Sequence, residues 1–331
     1  MSSNSDASHR LLAGSLYTVA AFVSWGLLPL YWNLLEHVSA PVILAHRVIW
    51  SCVFACGLLV AAGRFKPLAF FADRLRRRVV LATSVLIGVN WSTYIWAVTS
   101  EQVVEASMGY YINPLFSVFL GMIFLRERLT RLELVALLFA VAGVVNIALR
   151  YGEIPWIAIL LTGCFGTYGL LKKLVSVDSM TALSLETAIL SPVAIAFLVA
   201  VATVPGLAGF GAGPEAAAAT GENLGPAAAF GDGGFATVAL LLSGGVVTAM
   251  PLYWFGQGAQ RIPLSQVGFT QYIAPSLMLL IGVFLFGEPF TPVHAVTFGL
   301  IWAGLALYSV SRVLSYRRTR AKTVAGRSVS G

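Results

Sequence analysis

The chain carries one sequence pattern twice, and this repeat constrains the fold more than any other feature. The first copy begins with Tyr-Tyr-Ile-Asn-Pro at 110–114, and the second begins with Gln-Tyr-Ile-Ala-Pro at 271–275. Matching residues lie 161 positions apart without a gap: Tyr111/Tyr272, Ile112/Ile273, Pro114/Pro275, Gly121/Gly282, Glu127/Glu288, Thr130/Thr291 and Gly143/Gly304. Because proline, glycine and glutamate all keep the same offset, we interpret the chain as a duplication.

Both copies lie in strongly apolar surroundings. Only 11% of the residues are charged and 58% are hydrophobic, whereas a soluble domain carries about 25% charged residues. The apolar runs are about 20 residues long, which is the length that an α-helix needs to cross a bilayer core. Lipid cannot satisfy a free backbone group, so only helices or closed barrels cross it. The runs do not alternate as barrel strands do, and the sequence therefore predicts an all-α polytopic membrane protein.

The apolar runs divide into ten predicted transmembrane helices. We place them at about 11–34, 41–62, 78–99, 103–125, 131–149, 155–174, 180–203, 235–258, 265–286 and 291–314. Residues 1–10 form a polar N-terminal tail, and residues 315–331 form a basic C-terminal tail. The first apolar run is longer than the 7–15-residue core of a secretory signal, so we expect no cleaved signal.

Basic residues predict the orientation, because cytoplasmic loops carry an excess of lysine and arginine. In the ten-helix arrangement, 19 of the 21 basic residues fall on one side of the membrane. Arg150 lies in a loop on the other side, and Arg47 lies within the second helix. We therefore predict cytoplasmic termini in a bacterial-type cytoplasmic (inner) membrane. The net charge of +7 is spread over the inner loops, so we predict no nucleic-acid partner.

The repeat and the topology together predict an inverted duplication. Residues 11–149 and 155–314 each hold five predicted helices, and an odd number sends the second copy into the membrane from the opposite side. The first three helices of each copy match at a separation near 140, with His46 opposite Glu186. The separation between matching residues changes from near 140 to 161 within residues 204–234. This stretch is a Gly/Ala/Pro-rich outer loop, which we interpret as a flexible insertion.

No motif for catalysis or cofactor binding is evident. The chain has no Gly-rich loop ending in Lys-Ser/Thr that would bind ATP. Cys52, Cys56 and Cys164 lack the spacing of a metal or redox site, and the four histidines contain no pair at helical spacing. We therefore predict no enzyme activity, no catalytic residue, no cofactor and no metal.

Ionisable residues within the predicted helices form the first group of candidate functional residues. A charge in the bilayer core costs about 2.5–3.5 kcal/mol on insertion scales, so such residues usually face the protein interior or water. Two alternatives stay open: Arg47 can snorkel to the nearer surface, and Glu105 can complement the dipole at a helix N-terminus. The candidates for gating or proton coupling are His46, Arg47, Glu105 and Glu186.

A polar and aromatic cluster in the third, fourth and ninth helices forms the second group. Amides and phenols in lipid seek partners, so we expect these side chains to face inward. Pro114 and Pro275 each remove a backbone hydrogen bond near the middle of a helix, and we interpret them as hinges. The alternative is helix–helix hydrogen bonding with an aromatic belt. The predicted cavity residues are Asn90, Trp91, Tyr110, Tyr111, Asn113, Gln266, Gln271 and Tyr272.

Several motifs resemble one family over about residues 11–314. They are Trp25-Gly-Leu-Leu-Pro-Leu-Tyr-Trp32, Leu44-Ala-His-Arg47, Glu105-Ala-Ser-Met-Gly-Tyr110 and Gln271-Tyr-Ile-Ala-Pro275. The chain resembles the RarD-type proteins of the EamA family, in the drug/metabolite transporter superfamily. The resemblance implies ten helices in two inverted five-helix halves around a central cavity, with transport by alternating access. It also implies a drug-permease label, which describes a phenotype and establishes no substrate.

Together these observations predict a secondary transporter that moves a small organic solute across the lipid bilayer. The expected direction is outward, and protons are the candidate coupling ion. The alternative is a membrane receptor or assembly partner that binds a small ligand without transporting it. The identity of the solute and the oligomeric state stay open.

Overall fold

A computed structural model describes residues 2–35, 37–64, 73–99, 103–151, 156–175, 178–204, 234–287 and 290–328. Regular secondary structure within these ranges is helical. The helices are α1 Ser2–Asn33, α2 Ala40–Ala61, α3 Arg74–Thr99, α4 Val103–Phe124, α5 Arg131–Tyr151, α6 Trp156–Leu174, α7 Ser179–Thr203, α8 Phe235–Arg261, α9 Leu264–Gln271, α10 Ile273–Phe284 and α11 Pro292–Ser328.

Length and hydropathy identify seven helical segments of the described chain that can cross a membrane. They are His9–Asn33, Ala40–Ala61, Trp156–Leu174, Ser179–Thr203, Phe235–Arg261, Leu264–Phe284 and Pro292–Ser315. A shorter apolar helix, Gly109–Phe124, lies within α4. Nine of the predicted segments each correspond to one helix and 265–286 corresponds to α9 and α10, but the number that cross the membrane stays a prediction. The chain is a multi-pass, all-helical membrane protein.

Side chains at the loop–helix junctions explain where several helices begin. The sequence predicts a capping box at Thr130 and Glu133, and the structure confirms it. The Thr130 amide donates to Glu133 Oε2 at 2.8 Å, and the Glu133 amide donates to Thr130 Oγ1 at 3.3 Å. Asp178 caps α7 by accepting from the Thr181 amide at 3.0 Å. Pro292 opens α11 directly after Thr291, as predicted.

The predicted helix 265–286 is interrupted at Tyr272, which separates α9 from α10. Pro275 has no amide hydrogen to donate to the carbonyl of Gln271, so one hydrogen bond of the helix is missing there. The Tyr272 amide instead bonds to the Phe269 carbonyl, three residues back, at 3.4 Å. In the first copy α4 runs through Pro114 without interruption. The two copies of the repeated stretch therefore differ in backbone conformation.

Repeat-related glycines allow α5 and α11 to pack closely. A Cβ added at Gly143 would lie 3.0 Å from the carbonyl oxygen of Thr297, and one at Gly304 would lie 2.7 Å from that of Ala136. Ala136 and Thr297 are themselves 161 positions apart, so the two contacts are reciprocal. Small residues at such crossings let helix backbones approach in a membrane, where apolar packing against lipid gives no advantage.

A cluster of stacked and edge-on aromatic rings fills the centre of the bundle between α1, α6 and α8. Phe255 of α8 lies with its ring centroid 5.3 Å from that of Phe165 and 6.1 Å from that of Phe22. Trp25 lies edge-on to Phe165 at 5.6 Å. These rings belong to the packed core of the bundle, and we call them the aromatic floor.

We predict that Gly304→Ala destabilises the protein although alanine is the better helix former. The new methyl group would meet the Ala136 carbonyl, and overpacking of this kind costs about 1–3 kcal/mol. Thermal unfolding in detergent measures the effect. Gly299→Ala is the matched control on the same helix, because a Cβ there meets nothing within 4 Å. Equal unfolding midpoints for the two variants would show that α5 and α11 do not approach this closely.

Candidate functional site

A cavity of about 420 Å³ lies between α1, α2, α3, α4, α6, α8 and the α9–α10 break. Its walls on α1 run from Phe22, at the aromatic floor, to Trp32, close to the end of that helix. The first residue of α2, Ala40, also lines it. The cavity therefore extends from the middle of the bundle to the end where α1 finishes and α2 begins, which we call the α1–α2 end. Its volume is within the range of small-molecule sites.

Five of the eight residues predicted for the cavity line it: Asn90, Trp91, Tyr110, Asn113 and Gln271. The Asn90 amide donates to the Leu161 carbonyl at 2.9 Å, which links α3 to α6. The side-chain oxygen of Asn113 is buried and has no hydrogen-bond partner. A buried amide oxygen without a partner is costly, so this position favours a donor that arrives with a ligand or with water.

The other three predicted residues lie outside the lining. Tyr111 packs edge-on against Phe298 with ring centroids 5.3 Å apart. The Tyr272 hydroxyl donates to the Tyr111 carbonyl at 3.3 Å, joining α4 to the α9–α10 break. Gln266 donates to the Ser15 hydroxyl at 2.8 Å and ties α9 to α1. All three make contacts between helices.

Arg47 lines the cavity. Its side chain therefore faces the interior of the protein and does not snorkel to the membrane surface. Its guanidinium carbon lies 4.7 Å from the centroid of the Trp32 ring and 5.4 Å from that of the Trp91 ring. Both distances are typical of cation–π contacts. The Arg47 Nε donates to Thr248 Oγ1 at 3.0 Å. Within the part of the chain that the structure describes, no carboxylate lies within salt-bridge distance of Arg47.

His46 and Arg47 are neighbours in sequence but point in different directions. The His46 ring is 2% exposed and is absent from the cavity lining. Its Nδ1 accepts from the Trp50 indole at 3.0 Å, one turn along α2. Gating or proton coupling by His46 would therefore act through the helix packing and not through direct contact with the cavity.

Glu186 is buried below the aromatic floor, in the half of the bundle opposite the α1–α2 end. Its Oε1 lies 2.8 Å from Lys172 Nζ and accepts from the Thr83 hydroxyl at 2.6 Å. Its Oε2 accepts from the Tyr168 hydroxyl at 3.1 Å. Lys172 is 5% exposed and Glu186 is 2% exposed. This buried ion pair, with further hydrogen bonds from Thr83 and Tyr168, is a specific contact between helices, and neither charged residue lines the cavity.

Two further contacts hold the end opposite the cavity together, and we call this the α8–α9 end. The Glu127 carboxylate accepts from the amides of Leu264 at 2.6 Å and Ser265 at 2.8 Å, capping α9 from the α4–α5 loop. An anion at this position complements the helix dipole. The Lys173 ammonium donates to the Ala259 carbonyl at 3.2 Å and to the Ile262 carbonyl at the end of α8.

Several predicted features fall on residues whose placement is not described. The side chain of Glu105 lies outside the described residues, as do Glu288 and residues 205–233 of the loop insertion. The role of each stays a prediction.

The sequence did not indicate several important side chains. Trp32 lines the cavity, although a tryptophan near a helix end is typical of a membrane-interface belt. Thr248 bonds to Arg47 but lies in an apolar run that gives no functional signal. The topology places Lys172 at the cytoplasmic end of the sixth predicted helix, and the structure shows it buried and paired with Glu186. The sequence could not show which of Lys172 and Lys173 is the more deeply buried, because that depends on which helix packs beside each residue.

The fold is a multi-pass helical bundle with a central cavity, and comparisons with known proteins define its class as a membrane transporter and its family. The EamA-like transporter family matches residues 12–149. "Uncharacterized transporter YojE" of Bacillus subtilis is 44% identical over 91% of this chain and 94% of its own length. "Protein RarD" of Escherichia coli is 37% identical over 92% and 97%. The chain belongs to the EamA-like transporter family and, within it, to the RarD-type proteins.

A solved crystal structure with 17% sequence identity has the same fold. It superposes with a TM-score of 0.65 and covers 90% of this chain and 97% of its own. At this identity the likeness concerns the fold alone.

We predict that Glu186→Gln destabilises the protein by about 3–5 kcal/mol, because it leaves Lys172 buried without its partner. The double variant Lys172→Met/Glu186→Gln removes both charges and should recover most of that loss. Thermal unfolding in detergent measures both changes. Arg76→Gln, which breaks an exposed pair with Asp73, is the control, with an expected change of about 0–1 kcal/mol. A Glu186→Gln midpoint like that of the control would contradict the buried pair.

Proposed function

We propose that this transporter moves a small organic solute through the described cavity by alternating access. The observation that carries the proposal is the asymmetry between the two ends of the bundle. A cavity reaches the α1–α2 end, whereas Glu127 and Lys173 tie helices together at the α8–α9 end. A solute-sized space that is held shut at one end is the arrangement expected of one conformation in an access cycle.

The packing of the helices supports an inverted repeat of 11–149 and 155–314, with ten membrane crossings. In such a repeat α1 corresponds to α6, α3 to α8, and α4 to α9 with α10. Accordingly, α1 packs on α8 and α10, while α6 packs on α3 and α4. The equivalent helices α2 and α7, and likewise α5 and α11, pack on each other. Exchanging the halves therefore preserves these helix pairs.

The proposed orientation follows from the basic loops. With both termini cytoplasmic, the α1–α2 end faces outward and the α8–α9 end faces the cytoplasm. The described conformation is then outward-facing. Rocking of the halves about Pro114 and Pro275 would expose the cavity to the cytoplasm, and the interruption at Tyr272 supports a hinge in the second copy.

Opening the cytoplasmic end requires the Glu127 cap to separate from α9. We predict that Glu127→Gln raises the cytoplasmic accessibility of the cavity about tenfold. Weakening one charged hydrogen bond changes the free-energy difference between the closed and the open cytoplasmic end by about 1.5 kcal/mol. The measurement uses a variant in which the three native cysteines are replaced and Ala274→Cys places a single cysteine in the cavity wall. An impermeant thiol reagent is applied separately to right-side-out and inside-out vesicles.

Asp178→Asn is the matched control, because the described hydrogen bonds of that carboxylate are both from Thr181 of its own helix, at the same end of the bundle. It should leave both labelling rates unchanged. Labelling from the outer side alone in every variant would contradict alternating access and favour a receptor that binds without transport.

Proton coupling stays a proposal for Glu186, Glu105 and His46. The polar partners of Glu186 at the closed end support a role in which protonation weakens a joint that must open. In the Ala274→Cys protein we expect the ratio of cytoplasmic to outer labelling, in which the pH dependence of the thiol itself cancels, to depend on pH, and we expect Lys172→Met/Glu186→Gln to remove that dependence. Undiminished pH dependence in the double variant would exclude Glu186.

A further inference from the structure

The cavity contains a cation that no described carboxylate neutralises, and we propose that the transported solute is a small organic monoanion, a carboxylate attached to a flat apolar body. This inference rests on the proposed function, since it names the solute class for the same cavity. Three features of the site carry it: the free donors of Arg47, the aromatic walls beside it and the charge of the lining.

The guanidinium of Arg47 keeps donors available for a ligand. It carries five N–H donors and stays protonated in proteins. Its Nε is used by Thr248, and no described group bonds to its two Nη nitrogens. These two nitrogens are not buried polar atoms without a partner. They therefore face open space, which at this position is the cavity. Two adjacent N–H groups of a guanidinium match the two oxygens of a carboxylate.

The surroundings hold the guanidinium in a fixed orientation. Trp32 and Trp91 contact it through their ring faces, and Thr248 fixes its inner edge. A preorganised cation loses little freedom when an anion binds, which favours affinity. Aromatic walls also exclude water and strengthen the attraction between opposite charges.

The rest of the lining fits an apolar, flat body. Trp25, Tyr94, Tyr110 and Phe165 contribute ring surfaces to the same cavity. Rings of this kind pack against planar apolar groups in offset or edge-on arrangements. The solute would therefore direct its carboxylate toward Arg47 and place its body against these rings.

The charge of the described lining favours an anion over the other solute classes. No described residue of the lining is acidic, so an organic cation would meet Arg47 without a counter-ion. A zwitterion would gain a partner for its carboxylate and none for its ammonium group. A phosphate dianion would find one guanidinium for two charges. A monoanion balances the single charge of Arg47, the one charged residue of the described lining.

The test compares three ligands that share a phenyl ring and a three-carbon chain: 3-phenylpropionate, 3-phenylpropionamide and 3-phenylpropylamine. Tryptophan fluorescence of the full chain, in neutral detergent free of anionic lipid, reports binding because Trp25, Trp32 and Trp91 line the cavity. We expect the carboxylate to bind at least about tenfold more tightly than the amide, which corresponds to 1.4 kcal/mol. The amine should bind more weakly than the amide.

Arg47→Gln should abolish the preference for the carboxylate over the amide, and Arg47→Lys should retain part of it. Arg76→Gln is the control, because it removes an exposed arginine that pairs with Asp73 outside the cavity; the preference should survive. Size-exclusion elution and helical circular dichroism establish that each variant is folded.

Three results would each overturn the proposal: equal or tighter binding of the amide or amine, a preference that survives in Arg47→Gln, or no quenching by the carboxylate. Two-sided labelling of Ala274→Cys does not depend on the solute. If that labelling alternates while the carboxylate preference fails, the solute class is wrong and the transport mechanism stands.

Discussion

In a bilayer, each polar group of the chain has to find its partner inside the protein, because lipid offers none. This constraint explains why so many contacts here join different helices. Asn90 bonds to a carbonyl of α6, Gln266 to a hydroxyl of α1, and Glu186 to groups on α3 and α6. Arg47 differs from these residues, since its partners leave donors unused beside a cavity. The unpaired side-chain oxygen of Asn113 lies at the same cavity.

The two ends of the bundle use different chemistry. The α1–α2 end has aromatic walls around one cation, which suit reversible contact with a solute. The α8–α9 end is held by the Lys172–Glu186 pair and the Glu127 cap. Charged contacts of this kind can form or break together. The aromatic rings of Trp25, Phe165 and Phe255 separate the two regions. In the proposed transport cycle, movement of the halves would change access at one end while the residues that line the cavity stay the same.

The sequence predicts the helices well, because span length and hydropathy are properties of a single segment. It predicts the cavity less well, because that depends on which face of each helix meets which neighbour. Tyr110 and Tyr111 are adjacent and similar, yet only Tyr110 lines the cavity. The interruption at Tyr272 and the continuous helix through Pro114 arise from equivalent prolines, so tertiary contacts decide the outcome. Lys172 could not be paired with Glu186 without knowing that α6 and α7 bring them together.

The central claim is that two copies of one bundle enter the membrane in opposite directions and enclose the cavity between them. Labelling of single cysteines at repeat-equivalent positions tests it most directly. In a cysteine-free variant, Arg128→Cys and Pro289→Cys lie 161 positions apart. An impermeant maleimide should label Pro289→Cys in intact cells and should label Arg128→Cys only after the membrane is permeabilised. Labelling of both positions from the same side would contradict the inverted arrangement.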